Sequence, residues 1–340
     1  MNHANYFDRA YLKRNARENL KGKYGAALVA VLLALIVTQL LSGFATFLTN
    51  SLTSFTPFRM KVGVYDVDVD SLGRVTAFLR DLFQPLLSNR PLLIVVLFLI
   101  ITVPFLYSLF VGNVLKIGLK RWFLRASHPH YATPPMELLF SPFKRGQYIA
   151  AFKAAFWKSM WLFVWSVPVI LFNFFLFTPI VLLFIAFVKT GSNSITPELV
   201  DRVLEAYGLP GLFYSPAFFA VVGTVLLIFL IVLRFKRYQY KMTDYILADN
   251  PHIGTRRALT LSKQMSKGSL WRFLVLDLSF AGWFIVAAMC ICLPGISIFL
   301  VFPYYEATWV EAYKNRRDYL VECQELTMEE LGYVRMFSGS

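Results

Sequence analysis

Long apolar runs, separated by short polar and basic segments, set the pattern of this chain. A helix crosses about 30 Å of hydrocarbon with about 20 apolar residues. On that measure the candidate spans are Tyr24–Leu48, Leu92–Leu115, Trp157–Val188, Ala217–Leu233, Trp271–Cys292 and Ile296–Val310. The third sits in a longer block, Ile149–Val188, interrupted by Lys153, Lys158, Pro168 and Pro179. That block reads either as one kinked span or as two. Trp271–Tyr313 is too long for one pass, and Pro294-Gly295 offers a turn within it. The first run is too long for a cleavable signal peptide, and no small-x-small site follows it.

Composition supports a membrane class. The chain is 57% hydrophobic and only 16% charged, with mean hydropathy +0.56, against about 25% charged residues in soluble domains. A net charge of +14 would suggest nucleic acid in a soluble protein. Its placement points elsewhere, because Lys and Arg collect on the cytoplasmic side of membrane proteins. Met1–Lys23 carries six, Lys116–Lys158 eight, Arg234–Arg272 nine and the stretch after Glu311 four, whereas Ser51–Arg90 carries five and Lys189–Arg202 two. Six spans with both termini inside put every rich segment on one face. Splitting the third block would turn the nine-charge segment outward, so one kinked span is preferred.

The expected fold is therefore all-α: a polytopic transmembrane helix bundle of about six spans, forming a single integral membrane domain over residues 1–340. Residues 1–23 form a cytoplasmic amphipathic helix, 49–91 and 189–216 extracytoplasmic loops, 116–156 and 234–270 cytoplasmic elbows, and 314–340 a cytoplasmic tail. The cysteines (Cys290, Cys292 and Cys323) make neither a disulfide framework nor a zinc pattern.

The two elbows are related. At an offset of 122 residues, Ala248, Pro251, His252, Thr255, Leu261 and Gly268 fall on Ala126, Pro129, His130, Thr133, Leu139 and Gly146. Both segments follow an outside-to-inside span and precede an inside-to-outside one, which reads as an internal hairpin repeat. Lys21-Gly22-Lys23-Tyr24 is a weaker third copy, so three entering helices each follow a basic residue and a glycine. In the second elbow Thr255 is expected to N-cap a short helix. Ala258, Leu261 and Met265 share one face, and Arg256, Arg257, Lys263 and Lys267 occupy others. Gly268 is expected to end the helix in the left-handed conformation. Such interfacial amphipathic helices lie in the headgroup layer, where each Lys or Arg near anionic lipid contributes about 1 kcal/mol. The structural elbow is preferred; a regulatory lipid- or partner-binding loop is its rival. The expected partners are membrane lipids, anionic at the cytoplasmic face, and not nucleic acid.

The stretch from Tyr245 to Trp283, followed by "FPYYEATWVEAY", resembles the bacterial integral-membrane family catalogued as domain of unknown function 975. The residues that carry the resemblance are Tyr245-Ile246-Leu247-Ala248-Asp249, Ser262-Lys263, Met265, Gly268, Ser279-Phe280, Gly282-Trp283, Pro303-Tyr304 and Tyr313, together with the N-terminal "LKGKYGAAL". The resemblance implies a multi-pass protein of the bacterial plasma membrane. It implies no activity and supplies no catalytic residues.

In the first outside loop, Asp66, Asp68 and Asp70 alternate and share a face if extended. They fail the EF-hand pattern at Ser71 and Ala77, so a solvated strand edge is preferred to a calcium site. Val75 to Leu87 carries a helical apolar stripe. Thr196-Pro197-Glu198 reads as a helix start. An outer cap of two helices follows.

Ionisable residues within spans call for a functional hypothesis. Asp277, Glu306 and Lys158 are candidates for an intramembrane polar cluster. One reading pairs Asp277 or Glu306 with Lys158 across hairpins. A second makes them a proton or cation relay, and a third lets Lys158 snorkel to the interface. His128, His130 and His252 fall on the elbows, where solvated histidines are preferred to a metal site with Asp249. Tyr24, Trp122, Trp157, Tyr238, Trp271, Tyr304 and Tyr305 suit an aromatic belt. No phosphate loop, dinucleotide fingerprint, nucleophile elbow or zinc-protease motif occurs in the sequence, and no cofactor is expected. The leading functional expectation is a non-enzymatic membrane protein with an envelope or membrane-support role. The alternative is a transporter or channel for a small solute, lipid or peptide, with Asp277 or Asn173 lining its path. A lipid-modifying enzyme built on Asp277 and Glu306 is a weaker third.

Overall fold

A computed structural model describes residues 7–54, 90–128, 133–190, 205, 216–289 and 296–333. Among these the regular structure is helical, and no strand occurs. Asp66, Asp68 and Asp70, the Val75–Leu87 stripe, the Thr196 helix start, Pro129, His130 and Pro294-Gly295 lie outside the described residues.

The long helices follow the apolar runs. They are α1 (Arg9–Leu20), α2 (Tyr24–Ser54), α3 (Arg90–Tyr107), α4 (Asn113–Ala126), α5 (Tyr148–Thr190), α6 (Pro216–Lys241), α7 (Thr243–Asp249), α8 (Thr255–Ser266), α9 (Leu270–Met289) and α10 (Ile296–Glu322). A π-turn, Ser108–Gly112, joins α3 to α4, and a 3-10 segment, Met136–Phe143, precedes α5. The block Ile149–Val188 lies within one continuous helix of 43 residues, of which Tyr148–Phe174 is long and apolar enough to cross a membrane.

Four helical stretches are long and apolar enough to cross a membrane: Phe98–Ala126, Tyr148–Phe174, Pro216–Asp249 and Leu270–Ala287. A fifth follows if α1 and the first part of α2, bent by 97°, count as one broken span. The expected six are not reached among the described residues. Part of the difference lies in α10, where Glu306, Glu311 and the basic residues after Tyr313 dilute the apolar run. Its Trp309, Val310, Ala312 and Tyr313 are fully buried, so this stretch serves as core. Elsewhere the helices present large apolar side chains outward. Ile101 is 72% exposed and Phe174 73%, a surface far larger than soluble proteins leave in water.

The expected loop boundaries shift inward. α4 runs on to Ala126 and α6 to Lys241, so Lys116, Lys120, Arg121, Arg234, Lys236 and Arg237 lie on helices and not in elbows. The tail expected from residue 314 begins as helix, and its Arg316 and Arg317 are buried.

The chain divides into two compact units. The first comprises Met1–Ala155, Asp244–Ile253 and Ser279–Ser340, the second Phe156–Thr243 and Gly254–Leu278.

In the first unit, Asp8 caps α1, its carboxylate accepting from the Ala10 N–H at 3.0 Å. Leu12, Ala16 and Leu20, spaced by four, form the buried stripe of that helix. Its polar side is tied down as well. Lys13 Nζ donates to the Ser279 carbonyl at 3.1 Å and lies 4.3 Å from the centre of the Phe280 ring. Asn19 donates to Glu311 at 3.0 Å. α4 packs against the 3-10 segment, with the Trp122 indole N–H donating to the Pro134 carbonyl at 3.1 Å. The stacked rings of Tyr245 and Tyr313, 5.4 Å apart, lie in the same core.

In the second unit, α8 packs on the end of α6. Ala258, Leu261 and Met265 are fully buried, as the spacing predicts. Ser262 and Ser266, on the same side, donate to the Gln239 and Tyr238 carbonyls at 2.7 and 3.1 Å. These bonds tie α8 to main-chain carbonyls of the last turn of α6.

Candidate functional site

The two related elbows differ in conformation but end alike. The first forms the 3-10 segment and the second the regular helix α8; Leu139 and Leu261, equivalent in the repeat, are both fully buried. Gly146 and Gly268 take φ values of +91° and +73°, and Gly22 takes +72°. In each case the next long helix starts two residues later, at Tyr148, Leu270 and Tyr24. Positive φ is cheap only for glycine, so this residue is the turning point at all three elbows. The expected cap is corrected: α8 begins at Thr255, and its N-cap is Gly254, with φ +85° and no side-chain hydrogen bond. Lys267 is the C-cap residue of α8, and Lys263 lies 5.3 Å from the centre of the Tyr240 ring.

Ala126 ends α4, and its equivalent Ala248, one residue before the end of α7, lines a cavity in the first unit. Its volume is about 520 Å³, and Arg121, Arg125, His128, Gln147, Asp249 and Tyr333 are among the residues that line it, with Pro251. Two of the membrane-length stretches, Phe98–Ala126 and Pro216–Asp249, terminate here.

Asp249 is buried in the wall of this cavity. Its Oδ2 accepts from the Tyr313 hydroxyl at 2.6 Å and its Oδ1 from the Tyr333 hydroxyl at 3.0 Å. Arg317 Nη1 stands 4.0 Å from Oδ2 and donates to the Tyr333 oxygen at 3.0 Å. Burial, reinforced by the Asp249 carboxylate, holds both phenols above the ordinary tyrosine range. They therefore remain protonated donors, as a buried carboxylate requires.

Arg121 is held differently. Its Nε donates to the Ala248 carbonyl at 2.9 Å, and its Nη1 donates to Ser141 Oγ and Gln147 Oε1, each at 2.9 Å. All three acceptors are neutral. Further cations gather at the C-terminal end of α4, where Lys314 is also paired with Glu311 at 2.8 Å. Lys23 Nζ donates to the carbonyls of Ala126 at 3.0 Å and His128 at 3.4 Å, and Lys314 Nζ to that of Ser127 at 3.2 Å. Cations here meet the negative end of α4. Burial pushes the His128 imidazole below its ordinary range, and Lys314, Arg125, Arg317 and Lys23 push it further down.

The acids of the expected intramembrane cluster lie in different units. In the second, Asp277 Oδ2 accepts from Arg234 Nη2 at 2.5 Å and from the Tyr238 hydroxyl at 2.7 Å, with Lys241 Nζ 3.6 Å from Oδ1. In the first, Glu306 is bonded to Lys120, whose ammonium lies 5.0 Å from the centre of the Tyr245 ring. The Tyr245 hydroxyl donates to the same Glu306 oxygen at 3.5 Å. Lys158 lies on α5 in the second unit. Sequence reading offered Lys158 as partner for either acid; it missed Arg234 and Lys120 because both had been assigned to elbows. It also passed over Arg121, Arg317 and Tyr333. Asp249 and Tyr313 were signalled by the family-resembling residues, although nothing in that pattern joined them. Among the described residues no group of three His, Cys, Asp or Glu side chains is placed to hold a metal ion.

A family model described as Protein of unknown function (DUF975) matches residues 7–318. The match takes in both elbows and both acid–base clusters, and the chain belongs to that family. No curated protein and no solved structure matches.

Proposed function

We propose that this DUF975 member is a non-catalytic, multi-pass protein of the bacterial plasma membrane, with both termini cytoplasmic, that supports the envelope or another membrane protein. The observation that carries the reading is the state of Asp277. Its carboxylate is engaged by Arg234, Lys241 and Tyr238, an arrangement that holds α6 to α9 and leaves little capacity for a passing ion. Asn173, the other polar residue considered for a transport path, spends its amide on the Val169 carbonyl of its own helix at 2.7 Å. The charged residues within membrane-length helices thus act as joints. The basic elbows sit at the ends of these helices and hold anionic lipid by charge.

The test sets folding against flux. Purified Asp277→Asn protein in native-lipid nanodiscs loses folded yield and thermal stability, and wild-type proteoliposomes show no solute or ion flux that the variant abolishes. A variant that folds like wild type but removes a measurable flux would establish the transporter reading instead. Reporter fusions at His252 and at the C-terminus check sidedness, with external signal at either overturning the proposed topology.

A further inference from the structure

We infer that the elbow cavity of the first unit is a binding site for a phosphate ester, with Arg121 and Arg125 as its anion-binding groups. The charge balance comes first. Among the described residues the carboxylate in the cavity wall is that of Asp249, and it is already served by Arg317 and two tyrosine hydroxyls. Arg121 lies partly buried with three neutral acceptors on Nε and Nη1, and its Nη2 has no hydrogen-bond partner among the described residues. Arg125, one turn further along α4, lines the same cavity, exposed and without an ion pair among the described residues. Asp249 acts on both guanidinium groups only at longer range and forms no direct ion pair with either among the described residues, so two guanidinium groups and Arg317 share one carboxylate and leave a surplus of positive charge.

The choice of ligand follows from shape and position. Guanidinium donors match the oxygens of a phosphate in a two-pronged geometry that an ammonium cannot supply. The neutral acceptors on Arg121 fix its plane without neutralising it, so it is oriented before any ligand arrives. A volume of about 520 Å³ accommodates a headgroup-sized molecule. The cavity lies where the membrane-length stretch Phe98–Ala126 ends, which in a bilayer is near headgroup depth. The same chemistry would be met by the phosphate of an anionic lipid or by a soluble phosphate ester. The proposal rests on the membrane placement argued above only for the lipid source.

The experiment uses the full-length protein in phosphatidylcholine nanodiscs. Phosphatidic acid is titrated in one arm and inorganic pyrophosphate in another, with thermal unfolding and native mass spectrometry as readouts. The expected result is a saturable rise in unfolding temperature and a retained one-to-one adduct. Arg125→Gln weakens apparent affinity at least tenfold, while Lys144→Gln/Arg145→Gln, on the exposed elbow, changes it less than twofold. Saturation by phosphatidic acid alone identifies a lipid, and saturation by pyrophosphate at similar concentration identifies a soluble phosphate compound as the ligand class. No adduct in either arm, or equal loss from the Arg125 and Lys144/Arg145 variants, overturns the site. If Arg125→Gln proves unstable, the wild-type adduct measurement still decides, because phosphatidylcholine retained as strongly as phosphatidic acid also overturns it. Failure of the pyrophosphate arm with correct reporter topology counts against a soluble ligand and not against the membrane reading.

Discussion

Gly118 of α4 presses directly on the backbone of Leu139. A methyl group added at Gly118 would lie 1.8 Å from the Leu139 carbonyl oxygen. The obstacle is main chain, which cannot rotate away as a side chain would. Gly118→Ala therefore forces α4 and the 3-10 segment apart and costs more than the usual 1–3 kcal/mol of an overpacked core, on the order of 4 kcal/mol. Gly223 of α6 meets nothing within 4 Å at the same test, so Gly223→Ala is expected to be neutral or stabilising by about 0.5–1 kcal/mol. Thermal unfolding of the two variants in nanodiscs reads the contrast directly.

The Asp277 cluster predicts strong coupling. Asp277→Asn and Arg234→Gln each disturb a network that also includes Tyr238. The double variant leaves only Lys241 without its carboxylate, so it is expected to be less destabilised than the sum, with a coupling of about 1–3 kcal/mol. Additive losses in a thermal-unfolding cycle would show that the contact carries little energy.

The two hydroxyls on Asp249 are predicted to be unequal to ordinary hydrogen bonds. Tyr313→Phe and Tyr333→Phe each remove a donor from a buried carboxylate, a loss of about 1.5–3 kcal/mol. Asp249→Asn is expected to cost less than the two phenylalanine changes combined, because it removes the charge that needs them. Denaturant or thermal midpoints for the three variants rank the effects.

Stability is expected to fall on mild acidification through His128. Its folded-state pKa lies below the ordinary value of 6.5. Between those two values the unfolded chain binds a proton that the folded chain does not, so this contribution is complete above 6.5 and is lost as pH falls beneath it. Lys314, Arg125, Arg317 and Lys23 are the cations responsible, after burial. His128→Gln should flatten the decline in unfolding temperature between about pH 7 and about pH 5. An unchanged slope would place the titration elsewhere.

Much of the fold was legible because it depends on short-range patterns. Ala258, Leu261 and Met265 recur at helical spacing, and all three are buried. Gly146 and Gly268 stood out at the ends of related segments, and both adopt positive φ. The elbow limits were less legible, since Lys120 and Arg234 are charged and yet continue their helices. Charge marks the neighbourhood of a membrane surface, but local hydrogen bonding decides where a helix stops. The span count failed in part at α10, where a mixed segment is stabilised by burial that linear hydropathy does not register.

Periodicity and composition alone determined that this chain is helical and rich in membrane-length apolar stretches, and that it turns at glycines following basic residues. These are properties of residues close in sequence, governed by apolar transfer and backbone freedom. Only the tertiary structure decided the partners. Asp249 meets Tyr313 and Tyr333 across 64 and 84 residues, and Glu306 meets Lys120 across 186. Such pairings depend on which helix faces are packed together, and a hydrogen bond acts over only about 3 Å. The same packing gives Arg121 and Arg125 no direct ion pair among the described residues, and so creates the proposed phosphate-binding cavity that no linear pattern announces.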